Sequence, residues 1–169
     1  MSQFGIRYAQ GLKVLPILKP QDIVATATAT SYVDLDEINW ATFLVQFGNV
    51  ASTDSTGECI VTVECSTGNT SNATEAQIAF QYRLSAAVDT DTMGAITAAT
   101  AAGGAAVGQG DDNKMLVIDL DPAAVAANAA TMRYVRVVIT PTSEITATLV
   151  NAIFIGEPRY PGNAIPSST

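Results

Sequence analysis

Residues 133–156 read Arg133-Tyr134-Val135-Arg136-Val137-Val138-Ile139-Thr140, then Pro141-Thr142-Ser143-Glu144, then a second apolar run from Ile145 to Gly156. Two β-branched runs joined by a short polar turn with proline carry the pattern of a β-hairpin. Side chains alternate across a strand, so Val135, Val137 and Ile139 are expected inward, with Tyr134, Arg136 and Val138 outward. The same rule puts Ile145, Ala147, Leu149, Ile153 and Ile155 on one face of the second run, where Asn151 interrupts them. The bland reading of Arg136 is cross-strand pairing with an acid such as Asp119. The sharper reading is a subunit contact made with Tyr134, because Tyr and Arg are enriched at interfaces.

Upstream of this stretch the chain continues as short strands. Glu58 to Ser66 alternates cleanly, with Cys59, Val61, Val63 and Cys65 on one face. Six residues of strand span ~20 Å, beyond disulfide reach, so both cysteines read as buried free thiols suited to a reducing compartment. Trp40 to Phe47 is a strand ending at Gly48, with Phe43, Val45 and Phe47 on one face and Trp40, Thr42, Leu44 and Gln46 on the other. Both faces are partly apolar, so one is expected on the core and the other against a second subunit. Further strands are expected over Asp22–Thr30, Ala76–Ala86 and Lys114–Leu120, with a short strand or turn over Ser31–Ile38. In the Ala76–Ala86 strand Ile78, Phe80, Tyr82 and Leu84 point inward.

Two segments depart from the strand pattern. Asp89 to Gly110 is rich in Ala, Gly and Thr and reads as a long surface loop with at most a turn of helix. Pro122 to Ala130 reads as a short helix capped by Asp121, with proline at its first position. Seven or eight short strands with turn signals between them point to an all-β fold: an antiparallel β-sandwich, jelly-roll-like, with a Greek-key alternative. The expected division is an extended N-terminal arm over residues 1–21, a sandwich over 22–157 and a C-terminal tail over 158–169.

The 169 residues carry a net charge of −8, which argues against binding nucleic-acid phosphates. No apolar run reaches a membrane span, and no signal peptide is apparent, so neither a membrane nor secretion is expected. The charge is unevenly placed. Arg7, Lys13 and Lys19 make residues 1–20 +3, whereas the rest of the chain stands at −11. The arm is also apolar, and its Phe4, Arg7, Tyr8, Leu12, Lys13, Leu15, Ile17, Leu18 and Lys19 are the candidate partner-binding residues. Pro16 and Pro20 read as features of an extended segment that clamps onto a partner.

Chemistry finds little footing. The chain has no histidine, which removes most general-base, triad and zinc arrangements. Gly103-Gly104 and Gly108-Gln109-Gly110 lack the lysine and hydroxyl residue of a phosphate loop. The acidic pairs Asp34/Asp36/Glu37, Asp89/Asp91, Asp111/Asp112 and Asp119/Asp121 match no calcium loop and read as solvated acids or helix caps. Asn69 and Asn72 begin glycosylation triplets but read as polar loop residues. No enzyme activity, cofactor or metal is expected.

The stretch Met132 to Pro141 resembles a group of small tailed-bacteriophage virion proteins. These have a strand of this Arg-Tyr-Val-Arg type, a polar turn, an Ala/Val-rich strand and a Gly-x-Pro-Arg-Tyr end, here Gly156-Glu157-Pro158-Arg159-Tyr160. Asp34-Leu35 to Gly48, the Ile60–Glu64 strand, and Asp111-Asp112-Asn113 before Val117-Ile118-Asp119-Leu120 match as well. The likeness spans about residues 33–161. It implies the capsid decoration (cement) family: β-sandwich or jelly-roll modules, often oligomeric, bound outside an icosahedral shell. The partners so implied are the major capsid protein and further copies of the chain, with a trimer favoured. The implied location is the capsid exterior of a virion assembled in the host cytoplasm. Trp40, Tyr134, Arg136, Arg159 and Tyr160 are the candidate subunit-interface residues. The alternative is a tail- or fibre-associated host-recognition module that reads its target with the loop at 89–110.

Overall fold

A computed structural model describes residues 11–70, 73–128 and 131–159. The chain folds as an antiparallel β-sandwich. Sheet I holds β1 (Lys13–Ile23), β12 (Ile145–Pro158), β4 (Ile38–Ser52), β10 (Met115–Leu120), β7 (Phe80–Leu84) and β8 (Thr97–Ala99), in that spatial order. Sheet II runs β2 (Thr28–Ala29), β11 (Tyr134–Pro141), β5 (Glu58–Ser66), β6 (Glu75–Ile78), with β3 (Val33–Asp34) also on β11 and β9 (Ala105–Gly108) also on β5. The pairing is nested. The first strand pairs with the last (β1 with β12), the next two with the last but one (β2 and β3 with β11), β4 with β10, and β5 with β6. An antiparallel ribbon folded on itself so that successive pairs alternate between two sheets is a jelly roll, as the sequence led us to expect.

The opening stretch is strand–turn–strand, but not a hairpin. β11 lies in sheet II, paired with β5, and β12 lies in sheet I between β1 and β4. The turn at Thr142–Ile145 therefore arches from one sheet to the other. The Ile145 N–H donates to Thr142 O at 3.2 Å, and the Thr142 N–H donates to Glu58 O at 2.9 Å. The inward face of β11 is as expected: Val135, Val137 and Ile139 are fully buried. The face of β12 is not. Ile145 points inward, but a bulge between Ile145 and Ala147 exchanges the faces of β12; the register shift after Thr148 has its extra residue on β4 and leaves β12's alternation unchanged. Thr148, Val150, Ala152 and Phe154 then face the core, while Leu149, Asn151, Ile153 and Ile155 face out.

The core is the interdigitation of these inner faces. Phe43 and Phe154 are opposite each other in the β4–β12 ladder and meet edge to face, with centroids 5.3 Å apart. A Cβ on Gly156 would lie 2.7 Å from the Phe154 ring, so only glycine fits beside it. Cys59, Val61, Val63 and Cys65 present a fully buried face, as their alternation required, and both thiols are free. Burial pushes both thiols above their ordinary pKa.

The N-terminal division is corrected. Residues 13–23 are strand β1, so no free arm extends to residue 21 and the expected Asp22–Thr30 strand is only β1's end plus the two-residue β2. β1 is an edge strand, and Pro16 and Pro20 sit where no neighbour needs their missing N–H groups. Leu15 stands opposite Phe154 and packs against the core, and Ile17 and Leu18 are buried in it. Other segments differ in detail. β4 continues past Gly48 to Ser52. The Ala76–Ala86 run breaks at Ala79 and switches from sheet II (β6) to sheet I (β7), with Ile78 and Phe80 buried on either side. The 89–110 segment contains β8 and β9, followed by a 3-10 turn at Gln109–Asp111. Gly104 there has φ +60, and a Cβ on it would lie 2.4 Å from Val61 O, so the segment lies tight against β5. Helix α1 (Pro122–Asn128) starts as expected, with the Ala123 N–H donating to Asp121 Oδ1 at 2.8 Å and Val125 entering the core. Pro158 still belongs to β12 rather than to a tail.

Candidate interaction surface

The two outer faces of the sandwich are chemically unlike. On sheet II the charged side chains around Arg133 and Arg136 pair with one another, beside the outward Ile60, Thr62 and Val138. Arg136 donates from Nε to Glu64 Oε2 at 2.9 Å and from Nη2 to Glu75 Oε2 at 3.1 Å, and its guanidinium lies 4.7 Å from the centroid of the Tyr32 ring. The Tyr32 hydroxyl in turn donates to Glu75 Oε1. Partial burial and that hydrogen bond to a carboxylate push the Tyr32 phenol above its usual pKa. Beside this group, Arg133 donates to Asp34 Oδ2 at 2.8 Å and to the Tyr134 hydroxyl at 3.0 Å, and lies 3.6 Å from Asp36. Arg136 thus pairs across the sheet, but with Glu64 and Glu75; Asp119 is on the other sheet, accepting from Thr42 Oγ1 at 2.8 Å.

On sheet I the register aligns apolar side chains in rows. Pro16, Ile153, Leu44 and Val117 follow one another across β1, β12, β4 and β10, and Val14 stands opposite Ile155 in the next row. The row beyond holds Asn151, Gln46 and Met115. Asn151 Oδ1 is buried and has no hydrogen-bond partner. Leu149 is 53% exposed and lines a cleft of 270 Å³ with Pro20, Gln46, Lys114 and Asn151. At the far end stands Trp40, 45% exposed, opposite Glu157.

The residues singled out from sequence have different fates. Phe4, Arg7, Tyr8 and Tyr160 lie outside the described residues. Leu15, Ile17 and Leu18 belong to the chain's own core and are withdrawn from any partner. Lys13 is half-buried and lines a cleft with Asp34, Asp36, Glu37 and Arg133, so it faces the chain's own acids. Only Leu12, half-buried, and Lys19, exposed, keep the surface position expected of them. Of the interface candidates, Tyr134 and Arg136 sit in the saturated network of sheet II. Arg159 is tied down by its N–H to Glu37 O at 2.8 Å and its Nε to Ile38 O at 3.3 Å. Trp40 alone stands clear. Sequence reasoning missed Ile153 and Ile155 as surface residues because the bulge is silent in the alternation pattern. Asn151 was the one signal, a polar residue at their parity.

The acids have mostly local work. Asp111 pairs with Lys114 at 3.0 Å, Asp112 Oδ1 accepts the Val50 N–H at 2.7 Å, and Asp121 caps α1. Among the described residues no three acid or cysteine side chains gather as metal ligands would.

No protein-family model matches the chain, and no curated protein does. Among solved structures it is similar to the CBM22-1–GH10 modules of Clostridium thermocellum endo-1,4-beta-D-xylanase 10B complexed with xylohexaose. The identity is 10% and the TM-score 0.35, over 98% of this chain and 29% of that one. It is also similar to infectious bursal disease virus chains, of the Gx strain (9% identity, TM-score 0.27, 86% of this chain and 39% of that one) and of the Gt strain (10%, 0.25, 87% and 41%). The chain spans less than half the length of each, and the likeness is too low to carry a functional argument. What the fold and the surface define is a jelly-roll module whose ion pairs gather on one outer face and whose other outer face carries an apolar strip bordered by polar side chains.

Proposed function

We propose that this chain is a bacteriophage virion structural protein that binds the outside of the icosahedral capsid and stabilises it, as the decoration proteins it resembles in sequence do. The observation that carries the reading is the outer face of sheet I. Val14, Pro16, Leu44, Val117, Ile153 and Ile155 form one apolar strip in a chain of net charge −8, and the strip ends at an amide oxygen with no partner. A strip of this kind favours burial against another protein, and a donor on that protein would relieve Asn151 once contact turns the buried amide outward. The occupant is the major capsid protein. An acidic body kept off nucleic acid and a flat apolar contact both suit binding to the exterior of a protein shell. From Lys13 to Ile23 the chain is the edge strand of sheet I, so these residues do not form a free clamp.

Shells of the encoding phage that lack the protein provide the test. The wild-type chain should co-sediment with them at hundreds of copies per particle and raise their heat resistance. The double variant Leu44→Glu/Ile153→Glu should stay in the supernatant while keeping its β-sheet circular dichroism. Full binding by that folded variant would overturn the reading. A stoichiometry of only a handful per particle would favour the tail-associated alternative.

A further inference from the structure

We propose that Trp40 and the two clefts beside it form a binding site for a neutral, hexose-based glycan, a function separate from shell binding. The clefts measure 370 Å³ and 230 Å³, and Trp40, Gln81 and Asp119 line both. The first lies between β10, β7, β8 and α1, with Phe80, Ala98, Ala99 and Val125 among its apolar lining and Asp121 at its rim. The second adds Tyr82, Arg83 and Ile96, the last 57% exposed.

The chemistry selects the ligand. A pyranose has an apolar C–H face and a rim of hydroxyls, each both donor and acceptor. An exposed indole offers a flat apolar surface for the first. For the second, Asp119 and Asp121 accept, Arg83 donates and Gln81 does both. Arg83 makes no ion pair among the described residues. The acceptors are held in place before any ligand arrives. Thr42 Oγ1 donates to one oxygen of Asp119 at 2.8 Å, and the Ala123 N–H does the same for Asp121 at 2.8 Å. Neither hydrogen bond uses the second carboxylate oxygen, and a fixed acceptor costs less entropy on binding. Two carboxylates at the rim repel phosphate and carboxylate ligands, which is why the glycan is neutral. Two clefts that share Trp40, Gln81 and Asp119 suit a chain of sugars rather than a single ring.

Trp40 is the only tryptophan in the chain, so intrinsic fluorescence reports on the site directly. The purified full-length protein is titrated with maltohexaose, cellohexaose, mannohexaose and N-acetylchitohexaose. At least one should give a saturable change in Trp40 emission, matched by calorimetry. Gln81→Ala, a change at an exposed side chain, should weaken that ligand by about tenfold, and Trp40→Ala should abolish the calorimetric signal. Leu44→Glu/Ile153→Glu should bind the glycan normally, because neither residue lines either cleft, which separates the two functions. No saturable change with any of the four, or unchanged calorimetric affinity in folded Gln81→Ala and Trp40→Ala, overturns the proposal.

Discussion

The outer faces of the two sheets start from similar material and end in opposite states. Each is a row-by-row array of outward side chains on antiparallel strands. On sheet II, Arg136 stands between Glu64 and Glu75 and over Tyr32, and Arg133 between Asp34 and Tyr134, so each cation has its anion and its ring. On sheet I, Ile153 stands between Pro16 and Leu44, and Asn151 has an oxygen that nothing meets. The charges of the first face are paired within the chain. The second would gain from the proposed partner, because its aliphatic groups would lose water-exposed area on contact. Cross-strand register, more than composition, makes the difference.

The largest effect comes from removing what the two faces share. Phe154 is fully buried against Phe43 between the sheets, so Phe154→Ala should cost ~3–5 kcal/mol in urea unfolding. Both faces should then fail together. A variant that unfolds normally but loses only shell binding would show that the faces do not depend on a common core.

Next in size is the separation of the faces themselves. Leu44→Glu/Ile153→Glu should weaken shell binding by about a hundredfold or more, because it sets two charges in the middle of an apolar contact. Arg136→Met should leave shell binding alone and cost ~1–2 kcal/mol of stability. That figure is held down because Arg136 and Glu64 keep 23% and 17% of their side-chain surface in water. If Arg136→Met instead releases the protein from shells at unchanged stability, the roles of the two sheets are reversed.

Much of the fold was legible because local signals agreed. The Cys59–Cys65 alternation, the inward valines of β11, the Phe43 face of β4 and the Asp121-Pro122 helix start each combine a propensity with a period or a cap. What stayed hidden lies where sequence carries no sign of the partner strand. The run from Ala76 to Leu84 looks continuous, yet it changes sheets at Ala79. The turn at 141–144 looks like a hairpin loop, but nothing in its residues says that Ile145 will pair with Ser52 rather than with Pro141. In β12 both parities are apolar, so hydrophobicity cannot report a bulge, and Phe154 and Ile153 exchange places unnoticed. The N-terminal cations and prolines fit an arm and an edge strand equally well, and only the apolar Ile17-Leu18 pair needed a core. The contact surface was read at the basic, apolar terminus and one sheet face; the aliphatic strip that carries the proposed contact arises where β12's shifted alternation puts Ile153 and Ile155 outside.

The smallest effect is the most discriminating, because it should move two observables in opposite directions. Asn151 Oδ1 is buried without a partner beside the apolar strip of sheet I. An unmet acceptor of this kind penalises the free protein, and an aliphatic side chain of similar length carries no such penalty. Asn151→Leu should therefore stabilise the isolated chain by ~1 kcal/mol, read as a rise in melting temperature. If a donor on the capsid protein meets that oxygen, the same variant should bind shells about fivefold to tenfold more weakly, since the donor would then be buried against a methyl group. The equivalent change on the closed face, Gln77→Leu, should alter neither quantity appreciably. A gain in stability with shell binding unchanged would leave the apolar strip as the whole of the contact, and a loss of stability would mean that the amide of Asn151 is already satisfied in the free protein.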